Sequence, residues 1–214
     1  MSMRILLGMV PLFLLFFGCG INDPFGAPFS TGKLPGPIPV TVADIDGNIY
    51  HTVKIGFREW TVENLKATRY NDGTAIPLVT DSAAWATLTT PGYCWYNNDT
   101  ANKDVYGALY NWQAVNTGKL APAGWHVAND ADWGSIAEVG AITNIGFAPL
   151  LGGLRSSDGP FFKMDSSGYW WTSTLYGVDT TRALSRVLGA GGTSAGTVNF
   201  PRGMGFSVRC VRYY

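Results

Sequence analysis

Three aromatic segments, which follow one another in a fixed order, limit the possible folds of this chain more than any other feature. They are residues 124–133, which begin Gly-Trp-His-Val, residues 169–174, which contain two adjacent tryptophans, and residues 205–212. With 27 glycines, 8 tryptophans and 14% charged residues, the 214-residue chain has the composition of a loop-rich globular domain with an aromatic core. It is long enough to bury one core without metals or many disulfides.

The charge pattern argues against a nucleic-acid partner. The chain has 15 basic and 15 acidic side chains, and no basic cluster occurs along it. Proteins that bind nucleic acids carry a basic patch, so we expect no nucleic acid among the partners.

The N-terminus has the pattern of a bacterial export signal. Arg4 precedes an apolar run at residues 5–17, which is too short to span a bilayer as a helix. The run leads into Leu-Phe-Phe-Gly-Cys, which is similar to a lipobox and predicts cleavage after residue 18 and acylation of Cys19. Phe16 and Phe17 depart from the usual lipobox. The alternative is an ordinary secretory signal with a chance cysteine, in which case the protein is secreted.

The rest of the chain divides into a tether and one domain. Residues 19–39 are rich in proline and glycine and have no periodicity, which predicts a semi-extended spacer that holds the domain away from a membrane. No internal repeat is evident in residues 40–214, so we expect a single domain there.

Alternating patterns predict a hairpin at the start of the domain and short strands near its end. Residues 40–42 and 49–55 flank Asp46-Gly47, a strong turn signal, and a third strand is expected at residues 59–62. The later strands are expected at residues 169–174, 182–188, 197–200 and 206–212.

Two main helices are expected between these strand regions, besides a short helix that Asp81 caps and that runs to Leu88. The first covers residues 105–115, where apolar side chains recur at helical spacing. The second begins at Asn129, with Asp132 at the reciprocal capping-box position, and ends at Gly140. Its buried stripe is expected to consist of Trp133, Ile136 and Ala137. Helices followed by a sheet predict an α+β domain.

The three aromatic segments, together with six further motifs, resemble the Fibrobacter succinogenes major paralogous domain, a family of surface and exported bacterial proteins. The further motifs are residues 44–48, 60–65, 70–73, 93–99, 106–112 and 152–155. The resemblance covers about residues 42–212. It implies a C-type-lectin-like fold with two main helices, an irregular antiparallel sheet and many loops. The chain departs from the family at Ala128, where proline is usual, and in a shorter stretch between Val139 and Asn144.

The cysteines predict one disulfide. If Cys19 is lipidated, Cys94 and Cys210 remain as an even pair in an oxidising compartment. The alternative is two separate buried thiols. Relatives often carry a cysteine just before the Gly-Trp-His-Val segment, where this chain has Ala121, which leaves the pairing open.

One group of candidate ligand-binding residues consists of Trp95, Asn97, Asn98 and Asp99. The segment is similar to the Trp-Asn-Asp calcium and sugar motif of C-type lectins, but it lies too early in the chain. A polar loop with bonds from side chains to the backbone is the alternative.

A second group consists of Trp170, Tyr176 and Arg182. Trp170 and Trp171 are adjacent in a strand and point to opposite faces, so one of them is expected to face away from the core. The alternative is that loops cover both rings.

No metal or cofactor is expected. Residues 44–48 begin like a calcium loop but lack its later ligands, so a hairpin turn is preferred. His126 is interpreted as a hydrogen-bonded structural histidine, with a catalytic base as the alternative.

The first hypothesis for function is a lipid-anchored module of the cell envelope, at the outer membrane or cell surface, that binds a polysaccharide or a surface protein without turnover. The first alternative is a structural envelope protein that has no small-ligand site. The second is an enzyme related to formylglycine generation, to which residues 124–133 and 205–212 are also similar. That reaction uses a pair of active-site cysteines that bind copper, and the remaining cysteines do not fit that role.

Overall fold

β-Strands make up most of this fold. The computed structural model describes residues 40–139, 146–147 and 149–214. Twelve strands lie in this part of the chain: β1 (Thr41–Ala43), β2 (Ile49–Ile55), β3 (Arg58–Thr61), β4 (Tyr93–Cys94), β5 (Leu109–Tyr110), β6 (His126–Val127), β7 (Gly152–Arg155), β8 (Phe161–Met164), β9 (Ser167–Leu175), β10 (Arg182–Gly189), β11 (Gly196–Pro201) and β12 (Cys210–Tyr213). The predicted signal peptide, Cys19, the tether and Gly140 lie outside the described residues, as does the side chain of Ala137.

The helices in the same part of the chain are short. They are α1 (Ser82–Ala86), α2 (Lys103–Tyr106), α3 (Trp112–Val115) and α4 (Asp130–Val139), with single 3₁₀ turns at Tyr96–Asn98 and Thr100–Asn102. The expected cap of α1 is confirmed, because the Asp81 side chain accepts a hydrogen bond from the backbone N–H of Ala84 at 2.7 Å. Only α4 is longer than two turns.

The helix predicted over residues 105–115 is wrong. α2 ends at Gly107, whose φ is 74°, and β5 follows before α3 begins. A Cβ at Gly107 would lie 2.8 Å from the backbone oxygen of Leu65, so only glycine allows the close approach of these two segments. Asn111 then starts a new helix, since its side chain accepts from the N–H of Ala114 at 3.1 Å.

The predicted fold class is wrong for the same reason. An α+β, C-type-lectin-like domain requires two main helices, and α4 alone fulfils that expectation in the described residues. The fold is instead mostly β, with two curled five-stranded sheets and a two-stranded one. Helical spacing of apolar residues was misleading because Leu109 and Val115 are buried in a strand and in a separate short helix, whereas Val105, at the start of the predicted stripe, is 53% exposed.

The first sheet has the strand order β1-β2-β3-β12-β6, and all of its neighbouring strands are antiparallel. The expected turn at Asp46-Gly47 joins β1 and β2, with Gly47 at φ 81°. The Asp44 carboxylate stabilises this turn by accepting the N–H groups of Asp46 and Asn48. Its second oxygen accepts the hydroxyl of Tyr50 at 2.6 Å, so protein donors occupy both carboxylate oxygens. The hairpin turn that the sequence predicted at residues 44–48 is therefore confirmed.

The second sheet has the order β11-β10-β9-β7-β8, and β9 in its middle carries the paired tryptophans. Trp170 and Trp171 face opposite sides of β9, as expected, but both are completely buried. Trp170 packs against Trp133 of α4 at 5.8 Å between ring centroids, and Trp171 packs against Phe206 at 4.4 Å. The two rings therefore belong to two separate parts of the core, one on each side of the strand.

Candidate ligand-binding site

The N-terminus of α4 positions the carboxylate around which the candidate site is built. The side-chain oxygen of Asn129 accepts the N–H of Asp132 at 2.9 Å, and Asp132 Oδ2 accepts the N–H of Asn129 at 3.0 Å. This is the reciprocal capping box that the sequence predicted, here with Asn and Asp. The capping box fixes the rotamer of Asp132, so that its carboxylate points to the ends of β3, β6 and β12.

Three side chains from those strands donate to the same carboxylate. Oδ1 accepts Arg58 Nε at 2.8 Å and the Tyr213 hydroxyl at 2.9 Å, while Oδ2 lies 3.0 Å from His126 Nε2. Burial of this fully enclosed side chain opposes its ionisation, but the hydrogen bonds from His126 and Arg58 outweigh burial and hold the pKa of Asp132 well below its usual range. With its acceptor positions occupied, Asp132 orients its neighbours and has no capacity left for a ligand.

His126 is held in one orientation by this contact. Because the Asp132 carboxylate is ionised, the proton of the neutral imidazole resides on Nε2, and Nδ1 is left as a hydrogen-bond acceptor. The His126 side chain is 38% exposed and stacks on the Tyr213 ring, with 5.5 Å between centroids. The Arg58 guanidinium lies 5.2 Å from the centroid of the same tyrosine ring. The structural interpretation of His126 therefore fits its contacts, although part of its ring reaches the surface.

Two more pairs of a cation and an aromatic ring lie at the same end of the first sheet. Lys54 Nζ lies 4.2 Å above the Tyr214 ring, and the Tyr214 hydroxyl donates to the carbonyl of Gly56 at 2.7 Å. The Arg212 guanidinium lies 4.9 Å from the centroid of the Trp125 ring. We call this region the basic-aromatic end; it consists of Lys54, Phe57, Arg58, Trp125, His126, Arg212, Tyr213 and Tyr214.

Strand register explains this arrangement. Lys54 of β2, Glu59 of β3 and Arg212 of β12 are cross-strand partners, so their side chains share one face of the sheet. Arg58 of β3 and Tyr213 of β12 are also cross-strand partners. They directly neighbour Glu59 and Arg212 in their strands, so their side chains occupy the opposite face of the sheet, which α4 covers. The Arg212 guanidinium bonds the Glu59 carboxylate at 2.7 Å.

Aromatic side chains are exposed at this end. Phe57, in the turn between β2 and β3, is 82% exposed, and Tyr213 and Tyr214 are each 59% exposed. Exposed rings next to charged groups form a surface that suits a ligand with both apolar and polar parts.

The first group of predicted ligand residues forms a polar loop elsewhere in the fold. Trp95 is buried and packs edge-on against Tyr93. Asn97 and Asn98 are exposed, with φ of 53° and 59°, a conformation that asparagine tolerates. Asn98 donates to the carbonyl of Thr80 at 2.9 Å, and Asp99 accepts from the N–H of Ala101 at 2.9 Å. These are the bonds from side chain to backbone that the alternative interpretation described.

In the second predicted group, Trp170 is buried and does not share a surface with Tyr176 and Arg182. Trp170 has no exposed area, and its indole N–H donates to Asn64 at 2.8 Å, so it offers no stacking face to a ligand. Tyr176 is partly exposed, while Arg182 bonds the backbone carbonyl of Asn199 at 2.9 Å. The backbone N–H of Tyr176 donates to the carbonyl of Arg182 at 3.3 Å, so the structure brings these two predicted residues together.

The predicted disulfide is not present. Cys94 and Cys210 are both free and buried, and they belong to different hydrophobic clusters. Burial raises the pKa of the Cys94 thiol to about 11, so it stays protonated at neutral pH. The alternative of two separate buried thiols describes the structure.

Sequence reasoning missed Lys54, Arg58, Tyr213 and Tyr214. The sequence signal for them is the run Arg-Cys-Val-Arg-Tyr-Tyr at residues 209–214, in which basic and aromatic residues lie within and beside the strand β12. Its partners on β2 and β3 become visible only with the strand register.

No group of three or more His, Cys, Asp or Glu side chains in the described ranges lies close enough to hold a metal ion. In the same ranges, none of the helices has the length and apolar character needed to cross a bilayer.

Comparison with known proteins gives one match. A family model described as the Fibrobacter succinogenes major domain matches residues 53–141. The matched region includes Arg58, His126 and Asp132, whereas Arg212 and Tyr213 follow it. No curated protein and no solved structure matches the chain.

Proposed function

The chain belongs to the Fibrobacter succinogenes major domain family through residues 53–141, and on this premise we propose that it is a lipid-anchored module of the cell envelope that binds a glycan without turnover. The observation that carries the proposal is the basic-aromatic end. There, three exposed rings lie beside cations and beside an imidazole whose orientation is fixed. Sugar rings stack on exposed aromatic side chains, and charged or amide groups at the rim bind their hydroxyls.

The contacts of His126 fit the structural role that it has in the proposed binding module. Nucleophilic catalysis by a histidine and aspartate pair needs a hydroxyl or thiol within hydrogen-bond reach of the imidazole. In the described residues, the hydrogen-bond partner of His126 is Asp132, and Tyr213 stacks on its ring. No serine, threonine or cysteine contacts its Nδ1 there.

Anchoring at the envelope is supported by residues 5–19. An apolar run that ends in Gly-Cys is the substrate pattern of lipoprotein processing, and acylation of Cys19 by more than one chain suffices for stable membrane attachment. We expect wild-type protein to incorporate labelled palmitate and to partition into detergent, and Cys19→Ala to do neither. Equal labelling of both proteins would remove the anchor from the proposal.

The binding test uses the purified protein and a panel of insoluble polysaccharides and cell-wall fractions, with and without calcium. We expect saturable retention on at least one material, and loss of retention in Phe57→Ala. Phe162→Ala is the matched control, because Phe162 is another exposed phenylalanine, 50% accessible, on the edge strand of the other large sheet. Equal retention of both variants would remove the basic-aromatic end as the site.

The second candidate function is a structural envelope protein without a small-ligand site. The complete burial of Trp170 favours it, because that ring was expected to be a stacking surface. Retention on no polysaccharide, together with capture of a defined envelope protein, would support this candidate.

A further inference from the structure

The ion pairs at the basic-aromatic end bury their acids and expose their bases. The side chains of Asp132 and Glu59 are 0% and 2% exposed, while those of Arg58 and Arg212 are 21% and 44% exposed. Lys54 is exposed beside them. Charges at the surface act on a ligand more directly than charges beneath it, so this end presents a positive potential although the chain as a whole is neutral.

Three other ion pairs of the described residues expose their acids, whereas the Arg69–Asp46 pair, with side chains 47% and 13% exposed, resembles the pairs of the basic-aromatic end. Lys66, Lys119 and Arg186 pair with Asp104, Asp72 and Asp130, whose side chains are 81%, 38% and 36% exposed. In the pairs of Lys66 and Arg186 the acid is more exposed than its base. In the pair of Lys119 the acid is less exposed than its base, but it still has 38% of its side chain at the surface. A negatively charged ligand that approaches them meets the carboxylate as well as the cation.

Among the described residues, hydrogen bonds occupy only part of the donors of the cations at the basic-aromatic end. Arg58 bonds Asp132 through Nε, and both bonds of Arg212 go to a single oxygen of Glu59. No hydrogen bond of the Lys54 ammonium is found in the described part of the chain, where it lies over the Tyr214 ring. Guanidinium and ammonium groups with free N–H donors bind carboxylates strongly.

We propose that the ligand of the basic-aromatic end is an acidic polysaccharide, whose carboxylates bind Lys54 and Arg212 on one face of the first sheet while its sugar rings contact Phe57 and Tyr214. This inference rests on the proposed function and adds the charge of the ligand to it.

The test compares two forms of one polymer, polygalacturonate and its methyl ester, which differ only in carboxylate charge. Affinity electrophoresis measures binding of the wild-type protein, Lys54→Gln and Lys119→Gln at low and high salt. Lys119 is the matched control, because it is an exposed lysine whose partner Asp72 is also exposed. We expect binding to the acidic form only, weakening with salt, and a loss of affinity of about threefold to tenfold in Lys54→Gln alone.

Other outcomes separate this inference from the proposed function. Equal binding of the acidic and esterified polymers would overturn the acidic ligand and leave a glycan-binding module. Equal weakening by Lys54→Gln and Lys119→Gln would also overturn the inference, because it would indicate unspecific attraction. Retention on neither polymer and on no member of the polysaccharide panel would overturn both. Melting temperatures of the two variants verify that each is folded.

Discussion

Replacing Asp132 with asparagine removes the centre of the candidate site while keeping its shape. The carboxylate accepts from Arg58, Tyr213, His126 and the N–H of Asn129. An asparagine side chain has one oxygen, so it serves one pair of these donors, and its NH₂ group faces the other pair. Two donors lose their acceptor, and the Arg58 guanidinium loses its counter-charge.

The size of the effect follows from the burial of the groups. Removing one partner of a buried ion pair costs about 3–5 kcal/mol. Arg58 and His126 are 21% and 38% exposed and recover part of their hydration, which reduces this cost. Weakening of the capping box adds about 1 kcal/mol. We therefore expect Asp132→Asn to lower the free energy of unfolding by about 2–4 kcal/mol, which is about 6–12 °C in melting temperature for a domain of this size.

Urea and thermal unfolding followed by near-ultraviolet circular dichroism measure this change. Asp104→Asn is the control, because Asp104 pairs with Lys66 on the surface and its side chain is 81% exposed; we expect a much smaller shift.

The pKa of Asp132 is lowered in the folded protein, so its contribution to stability is present above its ordinary pKa of about 4 and is lost as the pH falls below that value. The gap between wild type and Asp132→Asn should close in that acidic window. A loss under about 1 kcal/mol at neutral pH would refute the reasoning, since it would equal a surface pair.

Three further predictions concern the core and the cysteines. Gly107→Ala should lower the melting temperature more than Gly118→Ala, because both glycines have positive φ but only at Gly107 does an added Cβ meet backbone atoms under 3 Å away; equal shifts would contradict the clash. Thiol titration in denaturant without reductant should find Cys94 and Cys210 both reactive, and both unreactive in the folded protein; protection in denaturant would indicate a disulfide. Trp170→Phe should destabilise the fold, because it removes the hydrogen bond to Asn64, without changing polysaccharide binding. Loss of binding in a folded variant would indicate that Trp170 belongs to the binding site.

Local interactions account for the parts of the fold that the sequence predicted. The turn at Asp46-Gly47 and the capping box of Asn129 and Asp132 each depend on residues within four positions of one another. Patterns of residue type detect such interactions because the partners lie next to each other in the chain.

Distant contacts account for the parts that the sequence did not predict. The helix expected over residues 105–115 is interrupted because Gly107 meets Leu65, 42 positions earlier. The candidate site joins Arg58 to Asp132 across 74 positions and Tyr213 to Asp132 across 81. Periodicity within one segment gives no information on pairs of residues this far apart. The sequence therefore predicted the capping box of Asp132 but not the distant side chains that donate to its carboxylate.

The position of β12 has a consequence for the order in which the protein folds. This strand is the last of the twelve in the chain, yet it lies inside the first sheet, between β3 and β6. During synthesis, β3 and β6 have no common neighbour until residues 210–213 have emerged, and the backbone groups that face the gap stay unpaired until then. Closing the gap joins segments about 150 positions apart, a high contact order that slows folding. For the exported protein that we propose, this delay keeps the first sheet incomplete, and the chain easier to move across a membrane, for as long as its final strand is missing.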